Sequence, residues 1–421
     1  MSIHATASVM TDPPASPPSP GPRAVEGRRL RVLVLTKVFP NALQPLHAAF
    51  NRQQFACLSR KVDLELVVPI QWFPGAARTG ARTEAGRLAR LPAFEWVDGM
   101  FVRHPRVLHL PRIDYPLASH LYRLSLLPLL RKMRGQVDVI LGSFLYPDGV
   151  AAIELGRQLG IPAVVYALGS DVNVVPGLWG VTPIIRRALP GAAAVVAVSQ
   201  DLADRAVALG APAARTVVVP NGVDKALFFP RDAAEARRRL GQPVSGRVVL
   251  FVGRLEPAKG IEELLRAFSR LCATRPDVRL VLVGEGSLRR RCQQAAQEVP
   301  GRIFVAGGLP LGEVADWVAA ANVLALPSWN EGTPNVVLEA LAVGRPVVAS
   351  RVGGIPAILP EPAAGRLVPP KDPEALAAAL GENLDRSFDP VSIAALGPVS
   401  WDESADRLLE VLHRAVLDPP S

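Results

Sequence analysis

The sequence predicts an α/β protein made of two facing, Rossmann-like, doubly wound parallel-sheet domains, and three observations predict it. Each half of the chain carries five continuous runs of Val, Leu, Ile and Ala, the pattern of parallel strands buried on both faces. Ala/Leu/Arg stretches at helical spacing lie between several of the runs, so strand and helix alternate. The length, 421 residues, is too great for one ordinary core and divides naturally into two.

Taken in order, the first half offers RLRVLVLTKVF (29–39), LELVVPI (64–70), VDVILGSF (137–144), IPAVVYAL (161–168) and AAAVVAVS (192–199) as strands. Helical stretches at Val150–Leu159 and Asp201–Leu209 separate them. VVVPNGVDKALFFP (217–230), with its Asn-Gly turn and closing Pro, reads as a connector. The second half repeats the plan with RVVLFVG (247–253), VRLVLVG (278–284), RIFVAG (302–307), NVLALPS (322–328) and RPVVAS (345–350). The expected organisation is a disordered Pro-rich tail over 1–27, a first domain over 28–215, a hinge over 216–230 and a second domain over 231–400. A C-terminal helix over 401–421 packs back on the first domain. In doubly wound sheets, ligands sit at the carboxyl ends of the strands.

Composition narrows the function. With 49% hydrophobic and 20% charged residues the chain is not mostly disordered, and despite a mean hydropathy of +0.23 no apolar run approaches the ~18–20 residues of a spanning helix. The tail, PPASPPSPGP at its centre, lacks the apolar segment of a secretory signal. Cys57, Cys272 and Cys292 stand far apart, and the six histidines fall at no metal spacing, so neither a disulfide framework nor zinc is indicated and a cytoplasmic location is expected. The formal charge of +9 is uneven: residues 1–215 hold 24 Lys and Arg against 14 Asp and Glu, while the rest hold 23 against 24. A basic half attracts nucleic acid, anionic substrates or an anionic membrane. Nucleic acid is not expected as a partner, since no recognition signature is present and aromatics are few.

Two loops at strand exits carry chemistry, and two others fall short of a motif. In GRLEPAKG (253–260), Arg254 and Lys259 converge beside a helix start, which suits a diphosphate. Taken singly, both also read as solvated loop cations. In SWNEGTPNVVLEALAVG (328–344), Thr333 reads as N-cap and Pro334 as the first helical residue, leaving the amides of Asn335 and Val336 free for an anion. Glu331 and Glu339 bracket that helix start as acceptors for sugar hydroxyls, or else are ordinary surface acids. GEGSLRRR (284–291) lacks the third glycine of a dinucleotide fingerprint, and GGLPLGE (307–313) has Glu313 where a P-loop needs Lys. No Asp-x-Asp motif occurs, so no metal and no cofactor is expected, and diphosphate charge falls to Arg254, Lys259 and the helix dipole. Neither a Gly-x-Ser-x-Gly nor a Cys/His nucleophile arrangement appears.

Together these segments resemble glycosyltransferase family 4. The resemblance runs through TKVFPNALQPLHAAFNRQQ (36–54), YPDG (146–149), GSDVN (169–173), VSQDL (198–202), VPNGVD (219–224), GRLEPAKG, LVGEG (282–286) and EGTPNVVLEALAVGRPVVASRVGGIPAIL (331–359). It implies the GT-B fold and transfer of a sugar from a nucleotide diphosphate donor, expected to be UDP-linked, with retention of configuration. It also implies that Arg254 and Lys259 bind the diphosphate, that Glu331 meets the transferred sugar, and that Glu339 meets the ribose. Gly332, Thr333, Pro334, Asn335 and Val336 then present backbone to the phosphates, Glu285 and Leu309 border the base, and Gly169, Asp171 and Asn173 line the acceptor side of the cleft.

Two positions depart from the family. Leu168 stands where many relatives carry His, and Ala48 where relatives often carry Gly in Pro-x-x-Gly-x-Phe. YPDG followed by GSDVN looks most like the branch associated with teichuronic-acid-type and other surface polysaccharides, which implies a lipid-linked or oligosaccharide acceptor. In the stretch 111–136, Arg123, Arg131 and Arg134 share one side of a helical projection, which fits peripheral contact with an anionic membrane; equally, its leucines pack on the sheet. Two rivals remain open at this level: a sugar-nucleotide epimerase, and a non-catalytic nucleotide-sugar or glycan-binding protein.

Overall fold

The computed structural model describes residues 28–45, 48–76, 78, 83–109 and 115–419. The expected tail, residues 1–27, and residues 111–114 of the basic stretch lie outside the described residues. Among the described residues, sixteen strands form the framework. In the first half they are β1 (Arg31–Leu35), β2 (Asp63–Val67), β3 (Ile70–Trp72), β4 (Phe94–Val97), β5 (Met100–Arg103), β6 (Arg106–Leu108), β7 (Val139–Ser143), β8 (Ala163–Ala167), β9 (Ala194–Ala197) and β10 (Thr216–Val218). The second half supplies β11 (Arg247–Val252), β12 (Val278–Val283), β13 (Ile303–Gly307), β14 (Val323–Leu326), β15 (Val347–Ser350) and β16 (Gly365–Val368).

The first sheet runs β10-β9-β8-β7-β1-β2-β5-β4, parallel except for the edge strand β4. The second runs β13-β12-β11-β14-β15-β16 and is parallel throughout. Apolar runs become central strands because helices cover both faces: β7, β8, β9, β14 and β15 are buried at every position. Strand order reverses between β1 and β7 and again between β11 and β14, which opens a crevice at the carboxyl ends of each sheet. β3 to β6 carry too few continuous apolar residues to be read from the sequence, and β10 takes the first three residues of the segment expected as hinge.

The chain crosses between the sheets twice, side by side. Val223 N donates to Val399 O at 3.0 Å, and Ser404 Oγ donates to Pro220 O at 2.7 Å. The second crossing feeds the helix Trp401–Leu417, opened by a capping box of Ser400 and Glu403. Its Trp401, Leu408 and Leu412 join the first domain's core, and Arg60–Asp402 and Lys61–Asp406 pair at 2.8 and 2.5 Å.

The helix Ala118–Lys132 buries Tyr122, Leu126 and Leu130. Leu121, Leu127 and Leu129 are partly buried against the same core, and only Leu124 among its leucines is exposed. The leucines are therefore core residues and do not form a free apolar stripe. Arg123 sits 3.4 Å from Glu154, so it too is committed within the domain. Among the described residues, no helix is long and apolar enough to cross a membrane.

Candidate functional site

The crevice is walled by four loops of the second domain and one of the first. Beyond β11 the chain turns through Gly253 and Arg254 into a short helical turn, Pro257–Lys259, and then the helix Ile261–Thr274. Gly260, at φ 70°, lies so close to the β14 exit that a Cβ there would stand 2.0 Å from Pro327 O. That approach brings Lys259 to the next loop: Lys259 Nζ donates to Glu331 Oε1 at 2.5 Å, and Ser328 Oγ donates to the same oxygen at 2.7 Å. Two residues singled out 72 positions apart in sequence thus form one partly buried pair. Arg254 is exposed, and its side chain holds no hydrogen bond or ion pair with any described residue. Its loop is tied to the β12 exit by Leu255 N to Glu285 O at 2.8 Å and by Glu256, whose carboxylate accepts from Ser287 N and Oγ at 3.0 and 2.6 Å.

The helix expected to open at Pro334 opens one residue later and spans Asn335–Ala342, with Pro334 extended at its cap position. Thr333 is not the N-cap. Its hydroxyl instead donates to Val198 O of the first domain at 3.2 Å, because the two domains touch here. The first-turn amides of Asn335 and Val336 have no described backbone or side-chain acceptor, as any helix start leaves them unless capped. Asn335 Oδ1 accepts from Asn221 Nδ2 at 2.8 Å, which fixes the helix start against the hinge. The carboxyl of Glu339, one turn in, has no described hydrogen-bond partner, and burial pushes it up to about 7.

The first domain's wall is the loop 168–173. Asp171 was expected to line the cleft; it is wholly buried and its carboxylate accepts from Leu145 N at 2.7 Å, Gly169 N at 2.6 Å and Leu168 N at 3.1 Å. It therefore shapes the loop and does not face a ligand. Burial raises its pKa against the pull of those amides. Gly169 abuts Gly332, such that a Cβ on Gly332 would lie 2.7 Å from Leu168 O and 2.9 Å from Gly169 Cα. Asn173 Nδ2 reaches Asn330 Oδ1 and Glu331 O, both at 3.4 Å. Leu168 is partly buried against the first core and brings no polar group to the cleft. Ala48, before the helix Ala49–Ser59, adopts the left-handed conformation at φ 52°.

Glu285 is tied to the residue before Leu309: Gly308 N donates to Glu285 Oε1 at 3.1 Å, and the Arg289 guanidinium, bonded to the same oxygen, holds the carboxyl below its usual range. Leu309 is partly buried against the second core. These two flank the β12 and β13 exits, beside the Arg254 loop but in no described contact with the Lys259–Glu331 pair. Among the described residues, no group of three or more His, Cys, Asp or Glu could hold a metal ion.

Several participants escaped the sequence reading. Ser328 fixes Glu331, and Ser199 lies against Gly354, where a Cβ would meet its Oγ at 3.1 Å. Asp148 is wholly buried with both carboxylate oxygens unpartnered; burial pushes it up to about 7, opposed by the nearby Lys37. Lys37 Nζ itself lies 4.7 Å over the Phe144 ring. The signal for Asp148 was a lone acid in an apolar Leu-Tyr-Pro-Asp-Gly turn at a strand exit.

Comparison with known proteins agrees with this geometry. The family described as Glycosyl transferases group 1 matches residues 246–386, and that described as Glycosyltransferase Family 4 matches residues 81–227. The chain is 30% identical over 360 residues to a Bacillus subtilis protein named as the teichuronic acid biosynthesis glycosyltransferase TuaC, covering 83% of this chain and 88% of that one. In fold it is similar to sucrose-phosphate synthase from Thermosynechococcus elongatus, with a TM-score of 0.73 at 23% identity over 93% of this chain and 99% of that one. It is likewise similar to Anabaena HepE, solved in complex with UDP and glucose, with a TM-score of 0.65 at 18% identity over 91% and 99% of the two chains.

Proposed function

The chain belongs to glycosyltransferase family 4, and from that premise we propose that it moves a hexose-type sugar, with retention of configuration, from a UDP-linked donor to a lipid-linked or growing surface polysaccharide at the inner face of the cell membrane. The observation that carries this reading is the Lys259–Glu331 pair standing beside the open start of helix Asn335–Ala342, with Arg254 free on the same side. The free amides and the two cations supply donors for a diphosphate without a metal. Glu331, once Lys259 turns to phosphate, offers its carboxylate to sugar hydroxyls. Glu339 offers the same to the ribose.

The first domain takes the acceptor in this reading. Its loop 168–173 meets the donor loop at Gly169 and Gly332, so the closed cleft excludes water from the reacting carbon. Asp171 acts as a positioning residue, holding Leu145, Leu168 and Gly169 in place. The complex of HepE with UDP and glucose and the teichuronic acid biosynthesis named for TuaC support the donor and acceptor classes by likeness.

The test is calorimetric titration with UDP, GDP and ADP in EDTA, beside an Arg254→Ala/Lys259→Ala variant. Tight UDP binding without metal, lost in the folded variant, is the expected result. Binding that the variant leaves unchanged, or binding that requires a divalent ion, overturns the assignment. Transfer of labelled sugar with the donor's anomeric configuration kept, read by NMR of the product, then tests retention.

A further inference from the structure

Trp179 is 86% exposed, an unusual expense of apolar area for a residue with no partner in the fold. It sits in the loop between Asn173 and Val181, pinned by Thr182 Oγ1 to Pro176 O and by Gly180 against Pro116, where a Cβ would lie 3.0 Å from Pro116 Cβ. Tyr115 and Leu117, both exposed, flank Pro116. The three apolar side chains thus occupy neighbouring positions on one rigid ledge.

The ledge stands at the cleft end of the first domain. Tyr146, just beyond β7, donates to Tyr115 O, and the Trp179 loop follows the cleft loop 168–173. From there the helices Ala118–Lys132 and Val181–Ala188 both run toward the opposite end of the sheet. A groove of about 1730 Å³ lies along them, lined by Arg134, Arg157 and Arg187, whose guanidinium groups form no hydrogen bond or ion pair with described residues. The groove's two acids are already committed: Asp138 to Arg28 and Arg31, both at 2.7 Å, and Glu154 to Arg123. Exposed rings beside uncompensated guanidinium groups match the two layers of an anionic bilayer surface, an interfacial zone for aromatics and phosphate headgroups for cations.

We infer that this face, Trp179 with Tyr115 and Leu117 at the cleft mouth and Arg134, Arg157 and Arg187 behind them, docks the first domain on an anionic phospholipid surface. The inference rests on the reading that the acceptor is held at a membrane, and it places the cleft mouth where such an acceptor emerges. It keeps Tyr115, Leu117 and Arg134 of the stretch 111–136, leaves out Arg123, which pairs with Glu154, and adds the loop before Val181.

The test is flotation of the full-length protein with phosphatidylcholine vesicles containing or lacking phosphatidylglycerol. The wild type floats only with the anionic vesicles, and salt weakens the binding. Arg157→Gln/Arg187→Gln lowers the partition about 25-fold, which is about fivefold for each arginine. Trp179→Ala also weakens it and removes the vesicle-induced blue shift of tryptophan emission. Arg238→Gln/Arg266→Gln, the same charge loss on the second domain, changes little. Absence of flotation overturns the inference, as does an equal loss in the second-domain variant. Binding of a soluble acidic polysaccharide to the groove with no vesicle binding overturns it in favour of a glycan groove. UDP titration of the same preparations separates the two readings: a wild type that binds UDP but does not float counts against this face alone, and absent UDP binding in the wild type counts against the donor site.

Discussion

Glu339 offers a quantitative test of the donor site, because its carboxyl is pushed from 4.5 up to about 7 by burial and nothing described in the cleft compensates it. The gap corresponds to roughly 3 kcal/mol of preference for the protonated form. Because the folded pKa lies above the unfolded one, the folded protein binds more protons between those values. The associated stability is fully present below pH 4.5 and is lost as pH rises to about 7. Asp148 adds a loss of the same sign, from 3.8 to about 7, so the informative quantity is the difference between wild type and Glu339→Gln. In urea titrations the variant should lose roughly 3 kcal/mol less than the wild type over that range. If ribose hydroxyls bond the carboxylate, donor binding favours the ionised form. A UDP-sugar, whose diphosphate diester does not titrate here, should then bind about tenfold more tightly at pH 8 than at pH 6 and release close to one proton at pH 6. Calorimetry in buffers of different ionisation enthalpy measures both. Glu339→Gln should bind more weakly with a flat pH profile. An unchanged profile in the variant, or proton uptake in the wild type, refutes the ribose assignment and leaves Glu339 a buried acid of the helix.

Three further outcomes follow from the geometry. Gly332→Ala places a Cβ 2.7 Å from Leu168 O, so the cleft cannot close fully; turnover should fall on the order of 100-fold while UDP binding is retained. Asp171→Asn leaves one oxygen for three amides and turns an amide donor toward the rest; chemical denaturation should show a loss of about 2–3 kcal/mol. Ala48→Gly relieves a left-handed alanine at φ 52°, gaining about 1–2 kcal/mol offset by about 0.4–1 kcal/mol of unfolded-state freedom, so the melting temperature should rise slightly.

The framework was legible wherever burial on both faces writes itself as an unbroken apolar run, and less so elsewhere. All five runs of each half became strands, and Val150–Leu159 is helical over the span expected. β4 and β5 were missed because an edge hairpin exposes one face, so FEWV and MFVR mix polar and apolar residues without a run. The loop chemistry divides in the same way. Lys259 and Glu331 could be singled out because charged groups at strand exits have few structural reasons to be there. The role of Asp171 could not, because nothing in GSDVN tells a carboxylate that faces the cleft from one that turns back on its own amides. Thr333 misled for a related reason: a hydroxyl before Pro reads as a cap, and only the first domain's Val198 carbonyl, 135 residues earlier in the chain, draws it away.

That last contact bears on how the two domains work. The seam between them, Gly169 on Gly332, Thr333 on Val198 O, Gly354 against Ser199 and Asn173 on Glu331 O, is made of glycines, backbone carbonyls and small polar groups, with no large apolar side chain among these contacts. Such a seam buries little apolar area and so contributes little to holding the cleft shut, whereas each domain has its own extensive core. The hinge opposes free separation only locally, through the paired crossings at Val223 and Val399 and the helix Trp401–Leu417 clamped on the first core. Opening and closing therefore cost little apart from the seam's few hydrogen bonds, and a donor that draws Lys259 off Glu331 acts at the very loop, 330–333, where the seam is made. On the proposed assignment of Glu331 to the donor sugar, donor binding and domain closure would be coupled through that loop, because Glu331 and the residues that meet the other domain, Gly332 and Thr333, are adjacent in sequence.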